Sequence, residues 1–99
     1  MAYRIVWSPR AADQFEMICN YIGRDSTMYA HIFAKKVNAI VKAIPAFVKS
    51  GRVVPEYGDE NLREKIYGNY RIVYRVGENY IEIAAICHGS QLLSRILSR

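Results

Sequence analysis

The chain has 99 residues, 52% of them hydrophobic, with 14 Lys and Arg against 9 Asp and Glu and only two cysteines. A chain of that length makes a single domain that buries roughly 60–65% of its extended surface, and its apolar content excludes disorder. No apolar run approaches the roughly eighteen residues a membrane span needs, and the net charge of +5 asks for an acidic partner, nucleic acid or protein.

Nothing near Met1 reads as a signal peptide, because Arg4, Pro9 and Arg10 interrupt any apolar run. The expected location is therefore the cytoplasm, and the expected organisation is one domain over residues 1–99. In a reducing compartment Cys19 and Cys87 are read as buried thiols rather than a disulfide framework. No metal or other cofactor is expected. There is no CxxC or HExxH, and the adjacent Cys87 and His88 would point to opposite faces of a strand.

In chain order, Tyr3-Arg4-Ile5-Val6-Trp7 is rich in β-branched and aromatic residues and predicts a strand. Ser8-Pro9 predicts a helix start, with Ser8 as N-cap and Pro9 in the first turn. Ala11, Ala12, Phe15, Ile18, Cys19 and Ile22 then lie on one stripe, and Gly23 is the expected stop. Asp25 or Ser26 caps a second helix with the stripe Ala30, Phe33, Val37, Ile40, Val41 and Ile44, ended by Pro45. His31, Lys35, Asn38 and Lys42 form its solvated face, and His31 reads as an ordinary surface histidine. A loop is expected from Ala46 to about Asn61, punctuated by Gly51, Pro55 and Gly58.

Three strands follow, over Leu62–Ile66, Tyr70–Val76 and Tyr80–His88. The tail Gln91–Leu97 carries Leu92, Leu93, Ile96 and Leu97 at helical spacing and predicts a short C-terminal helix that needs a surface to dock on. The fold class is thus α+β: a strand, a helical hairpin and an antiparallel sheet in the order β-α-α-β-β-β, then the short helix.

Strand register decides where the charges go. A three-residue loop at Tyr67-Gly68-Asn69 sets Ile66 opposite Tyr70 and Glu64 opposite Ile72, which keeps Arg63 and Lys65 out of the apolar face. A turn centred on Glu78-Asn79 sets Glu82 opposite Arg75 and puts Ile81, Ile83, Ala85 and Cys87 on the apolar face. On this register Arg63, Lys65, Arg71, Arg75 and His88 share the opposite face. Such a face is ordinarily the watered side of an antiparallel sheet. It also suits phosphate binding, with a histidine whose ordinary pKa of about 6.5 fits proton transfer.

Several stretches resemble the RelE/ParE toxin superfamily of type II toxin–antitoxin, or plasmid-stabilisation, systems. They are Ile5-Val6-Trp7-Ser8-Pro9-Arg10-Ala11-Ala12, Gly51-Arg52-Val53-Val54-Pro55-Glu56, Leu62-Arg63-Glu64 with Tyr70-Arg71-Ile72-Val73-Tyr74-Arg75, and Ile86-Cys87-His88-Gly89. Together they cover nearly the whole chain in the order of that superfamily. The resemblance implies the same fold and an acidic, partly disordered antitoxin that covers the active face.

It also implies one of two activities. RelE-like members cut messenger RNA on the ribosome, using Lys and Arg to hold phosphate and a Tyr, His or Glu to move a proton. On that pattern His88 and Arg71 would be catalytic, Arg63, Lys65 and Arg75 would bind substrate, and Glu56 is a further candidate base. ParE-like members bind DNA gyrase without catalysis.

The basic face puts ribosome-dependent cleavage of messenger RNA first, with gyrase binding as the alternative. Gly89-Ser90-Gln91, where related nucleases carry an arginine, and a tail without tyrosine favour gyrase binding. A third reading is an inactive or repurposed binding domain. Ser90 beside His88 does not indicate a hydrolase, since no GxSxG elbow or orienting acid accompanies it.

Overall fold

The computed structural model describes residues 3–90. Strand β1 (Arg4–Trp7) runs into helix α1 (Pro9–Gly23) through Ser8, whose hydroxyl accepts a hydrogen bond from the Ala11 N–H at 3.0 Å. Ser26 caps helix α2 (Thr27–Ala43) in the same way, accepting from the Tyr29 N–H at 3.1 Å. Both caps satisfy amide groups that a helix start leaves without partners. Pro45 does not extend α2. It sits in a single tighter turn, Ile44–Ala46, that closes the helix.

Strands β2 (Arg52–Val53), β3 (Leu62–Tyr67), β4 (Tyr70–Val76) and β5 (Tyr80–His88) complete a five-stranded sheet in the order β1-β5-β4-β3-β2. The neighbours from β2 to β5 are antiparallel, whereas β1 runs parallel to β5, so the sheet is mixed rather than wholly antiparallel. The two-residue β2 lies inside the stretch expected to be loop. The expected C-terminal helix falls outside the described residues. Among the described residues no helix is long and apolar enough to cross a membrane.

The main core lies between the helical hairpin and one side of the sheet. Phe33, Val37, Val41 and Ile44 pack there against Ile72, Tyr74, Ile81, Ile83 and Ile86. A smaller cluster of Val54, Leu62, Val73, Ala84, Ala85 and Cys87 occupies the other side, which we call the far face. Ile72, Tyr74, Ile81 and Ile83 thus face the helices as the apolar pattern requires.

Two register expectations are corrected. The β3–β4 turn is the two-residue Gly68-Asn69 loop, with Tyr67 opposite Tyr70, Lys65 opposite Ile72 and Arg63 opposite Tyr74. Gly68 has φ +58°, and among the described residues no non-glycine residue has positive φ. This is the hairpin geometry in which only the first central residue needs the left-handed region, and glycine supplies it. The second correction is a bulge: Val73 faces Ala85 but Tyr74 faces Ile83, so β5 carries an extra residue at Ala84. Beyond it the alternation flips. Ile86 enters the main core, while Ala85 and Cys87 go to the far face. The expected Glu78-Asn79 turn holds, with Arg75 opposite Glu82.

The connection from α2 into the sheet is pinned from the helix side. The Tyr74 hydroxyl donates to the Val48 carbonyl at 2.7 Å and accepts from the Gly51 N–H at 3.0 Å. Its cross-strand neighbour Arg63 donates to the carbonyls of Glu60, Lys49 and Gly51 at 2.7, 3.2 and 2.9 Å. Gly51 is obligatory here, since a Cβ would lie 2.6 Å from the Glu64 carbonyl oxygen and 2.7 Å from the Tyr74 hydroxyl. Tyr74→Phe should therefore cost about 1–3 kcal/mol by stranding two backbone groups, and Gly51→Ala about as much by overpacking. Urea midpoints equal to wild type for both variants would mean that the connection is held elsewhere.

Candidate functional site

The two-residue hairpin loop puts Leu62, Glu64 and Ile66 on the far face together with Arg71 and Val73. A glutamate and an arginine thereby become near neighbours inside the sheet. Arg71 Nε donates to Glu64 Oε1 at 2.6 Å, and Arg52 Nε donates to Glu64 Oε2, also at 2.6 Å. The two terminal nitrogens of Arg71 grip Glu56 in a bidentate pair, each at 2.8 Å. The Glu64 side chain is wholly buried and that of Arg71 is 7% exposed. Two carboxylates and two guanidiniums thus share one chain of charge-assisted bonds. Val54 and Glu56 come from the segment after β2, so that segment is fastened onto the far face by an apolar contact and an ion pair.

Arg71 is committed by this arrangement. The Glu56 hydrogen bonds, more than any other contact, hold its guanidinium further above its already high ordinary pKa, while desolvation works against them. Next to it in the β4–β5 ladder, burial pushes the Cys87 thiol up, and burial does the same to Cys19. Both therefore stay protonated near neutrality.

The structure does not bring the five expected site residues together on one face. Arg71 and Arg75 lie on the far face, and Arg75 pairs with Glu82 at 3.7 Å. Arg63 and Lys65 lie on the helix side of the sheet, where Arg63 is occupied with the three loop carbonyls. His88 also lies on the helix side, because the Ala84 bulge reverses the end of β5. It stands opposite Tyr70 with ring centroids 5.8 Å apart. Its Nδ1 is 2.8 Å from the Ser90 hydroxyl and accepts from the Ser90 N–H at 3.2 Å. A cleft of about 430 Å³ opens beside it, lined by Gln14, Met17, Ile18, Tyr70 and Ile86.

Glu56 is not free to act as a base either, because its side chain is only a quarter exposed and is held by Arg71. Residue pattern alone does not single out Glu64, Arg52 or the Tyr74 hydroxyl. The available signal is Gly68-Asn69, a hairpin dipeptide that fixes Glu64 and Arg71 on one face.

The comparisons with known proteins agree with this fold. The family model described as ParE toxin of type II toxin–antitoxin system, parDE, matches residues 5–93. A chain of the chromosomal ParDE toxin–antitoxin system from P. aeruginosa superposes with a TM-score of 0.71 at 18% identity, over 88% of this chain and 96% of that one. The YoeB dimer from Staphylococcus aureus gives 0.58 at 22% identity, over 89% and 97%. At these identities the likeness is one of fold. No curated protein matches the chain by sequence.

The buried pair makes a stability prediction. Arg71→Ala leaves Glu64 buried with Arg52 alone and Glu56 without its clamp, which should cost about 3–5 kcal/mol. Denaturant titration measures this directly, and an unchanged unfolding midpoint would mean that the charges are solvated rather than locked.

Proposed function

Because the chain belongs to the ParE toxin family of type II toxin–antitoxin systems, we propose that it arrests bacterial growth by binding DNA gyrase, without cutting RNA. The observation that carries this reading is the commitment of Arg71 to Glu56 and Glu64. A nuclease needs a cation able to turn to the scissile phosphate and a proton-transfer group within hydrogen-bond reach of the same atoms. Arg71 is gripped by two carboxylates on the far face, and His88 projects from the helix side. The two side chains leave the β4–β5 ladder on opposite faces, so they are not aimed at one phosphate. Binding asks only for a complementary surface, and it is compatible with charges that have been neutralised internally.

The missing arginine after the last strand fits the same reading. Neutralisation is by an acidic antitoxin, and gyrase as target puts the action in the cytoplasm. The RelE-like alternative assigns Arg71 and His88 to catalysis and Arg63, Lys65 and Arg75 to the messenger, and it requires Arg71 to leave its clamp.

The experiment pairs two assays on the purified wild-type chain. Gyrase supercoiling should be inhibited, and messenger RNA in a translating extract should remain whole. His88→Ala should keep its inhibition of supercoiling within about 3-fold, since removing one exposed side chain outside a hot spot costs little. Cut messenger with intact supercoiling, lost in His88→Ala, would replace this reading with the nuclease. No effect in either assay would leave the repurposed binding domain.

A further inference from the structure

The thirty residues from Ser26 to Pro55 contain no Asp or Glu. Their five cations, Lys35, Lys36, Lys42, Lys49 and Arg52, equal the whole net charge of +5, because the other nine Lys and Arg are balanced by the nine Asp and Glu. Folding sorts those five further. Lys49 pairs with Glu60 and Arg52 with Glu64, so their charge is compensated locally. Lys35, Lys36 and Lys42 enter no ion pair among the described residues, and all three are exposed on α2.

Beside the lysines and the polar His31 and Asn38, the exposed surface of the hairpin's second helix also carries large apolar side chains. Met28 and Tyr29 are 69% and 66% exposed, Ile32 is 40% exposed, and Phe47, just past the end of α2, is 75% exposed. On a 3.6-residue turn Met28, Ile32, Lys35, Ala39 and Lys42 fall on one outward stripe, opposite the buried Phe33, Val37 and Val41. From Met28 to Lys42 the stripe is about 21 Å long. The helix dipole accounts for a cation in the last turn such as Lys42, but not for Lys35 and Lys36 in mid-helix.

We propose that this outward face of α2 is the docking surface for an amphipathic acidic helix of the antitoxin, an inference that rests on the toxin–antitoxin reading. Carboxylates of the partner lie over Lys35, Lys36 and Lys42, and its apolar side chains cover Met28 and Ile32 at one end and Phe47 at the other. Charge complementarity selects the partner, because α2 offers no carboxylate to repel it and the lysines carry no counter-charge among the described residues. A protein helix fits better than nucleic acid, because exposed Met, Ile and Phe side chains gain from apolar cover and gain nothing from phosphates. On the far face, where the sequence pattern alone would seat a partner, Arg52, Arg71 and Arg75 are already paired with Glu64, Glu56 and Glu82.

The test uses the full chain and the product of the adjacent gene, with affinity measured at low and at physiological salt. Lys35→Glu/Lys36→Glu should weaken binding by about 100-fold at low salt and flatten its salt dependence. Phe47→Ala should weaken it by about 10-fold with little change in salt dependence. Arg4→Glu, an exposed charge change on β1, should stay within about 2-fold of wild type. Thermal melting checks that each variant is folded, and Phe47→Ala covers the case in which the charge reversal is not.

Wild-type affinity in both α2 variants would overturn the proposal. So would an unchanged antitoxin affinity combined with lost binding to a single-stranded RNA oligomer, which would make α2 a nucleic-acid surface. A wild-type chain that arrests growth yet binds no such neighbour removes the α2 proposal alone. One that neither arrests growth nor binds removes the toxin–antitoxin reading with it.

Discussion

The Glu64 carboxylate, fully enclosed and shared between Arg71 and Arg52, is the constraint on which the rest of the far face depends. A lone buried carboxylate is too costly to keep charged, and partner charges offset that cost only when the geometry is good and the remaining hydrogen-bonding groups are satisfied. Here they are: among the described residues no buried side-chain nitrogen or oxygen lacks a partner. The net gain in stability from such a pair is small, but the penalty for any arrangement that separates its members is large. That asymmetry fixes β3 against β4, places Arg52 at the sheet edge and draws Glu56 in through the second fork of Arg71. One carboxylate thereby sets a hairpin register and the path of the segment after β2.

The same interaction explains how much of the fold is legible in the sequence. Both helix starts are, because Ser8-Pro9 and Ser26 act on amides only a few residues away. The apolar faces of α1 and α2 are legible for the same local reason, as is the Glu78-Asn79 turn. The β3–β4 register is not. The apolar pattern alone argues for keeping Arg63 and Lys65 off the helix side, since burying them would be ruinous. Yet the guanidinium of Arg63 binds the carbonyls of the α2–β2 connection, and the charges that really are buried, Glu64 and Arg71, cancel each other. A pattern of single residues weighs each charge alone, whereas the fold weighs pairs.

The expected site does not assemble for the same reason, with a second cause added. Alternation along β5 predicts the side of His88 only if no residue is inserted, and the Ala84 bulge inserts one. Small residues at 84 and 85 let the strand crowd two side chains onto the far face and return the larger Ile86 to the main core. Nothing in a period-of-two reading marks that exchange. The family resemblance, by contrast, is legible from ordered stretches spread along the chain, because it does not depend on any one register.

For function, these pairings divide the two sides of the molecule. The far face commits three of its arginines internally, Arg71 and Arg52 to Glu64 and Glu56 and Arg75 to Glu82, while Arg4 at the β1 edge is exposed and enters no ion pair among the described residues. A partner arriving there would have to break ion pairs before making its own, which raises the cost of docking without adding attraction. The helical hairpin differs in both respects. Large apolar side chains stand in solvent on it, Met17 and Tyr21 on α1 and Met28, Tyr29 and Ile32 on α2, and the lysines of α2 have no counter-charge among the described residues. Desolvating those side chains gains free energy, and the long-range field that steers an acidic protein originates on the same helix pair. Net charge, read from composition alone, says that an acidic partner is wanted. Only the pairing of charges in three dimensions says which cations still have charge to offer, and here the three lysines of α2 are among them whereas Arg52, Arg71 and Arg75 of the sheet are not.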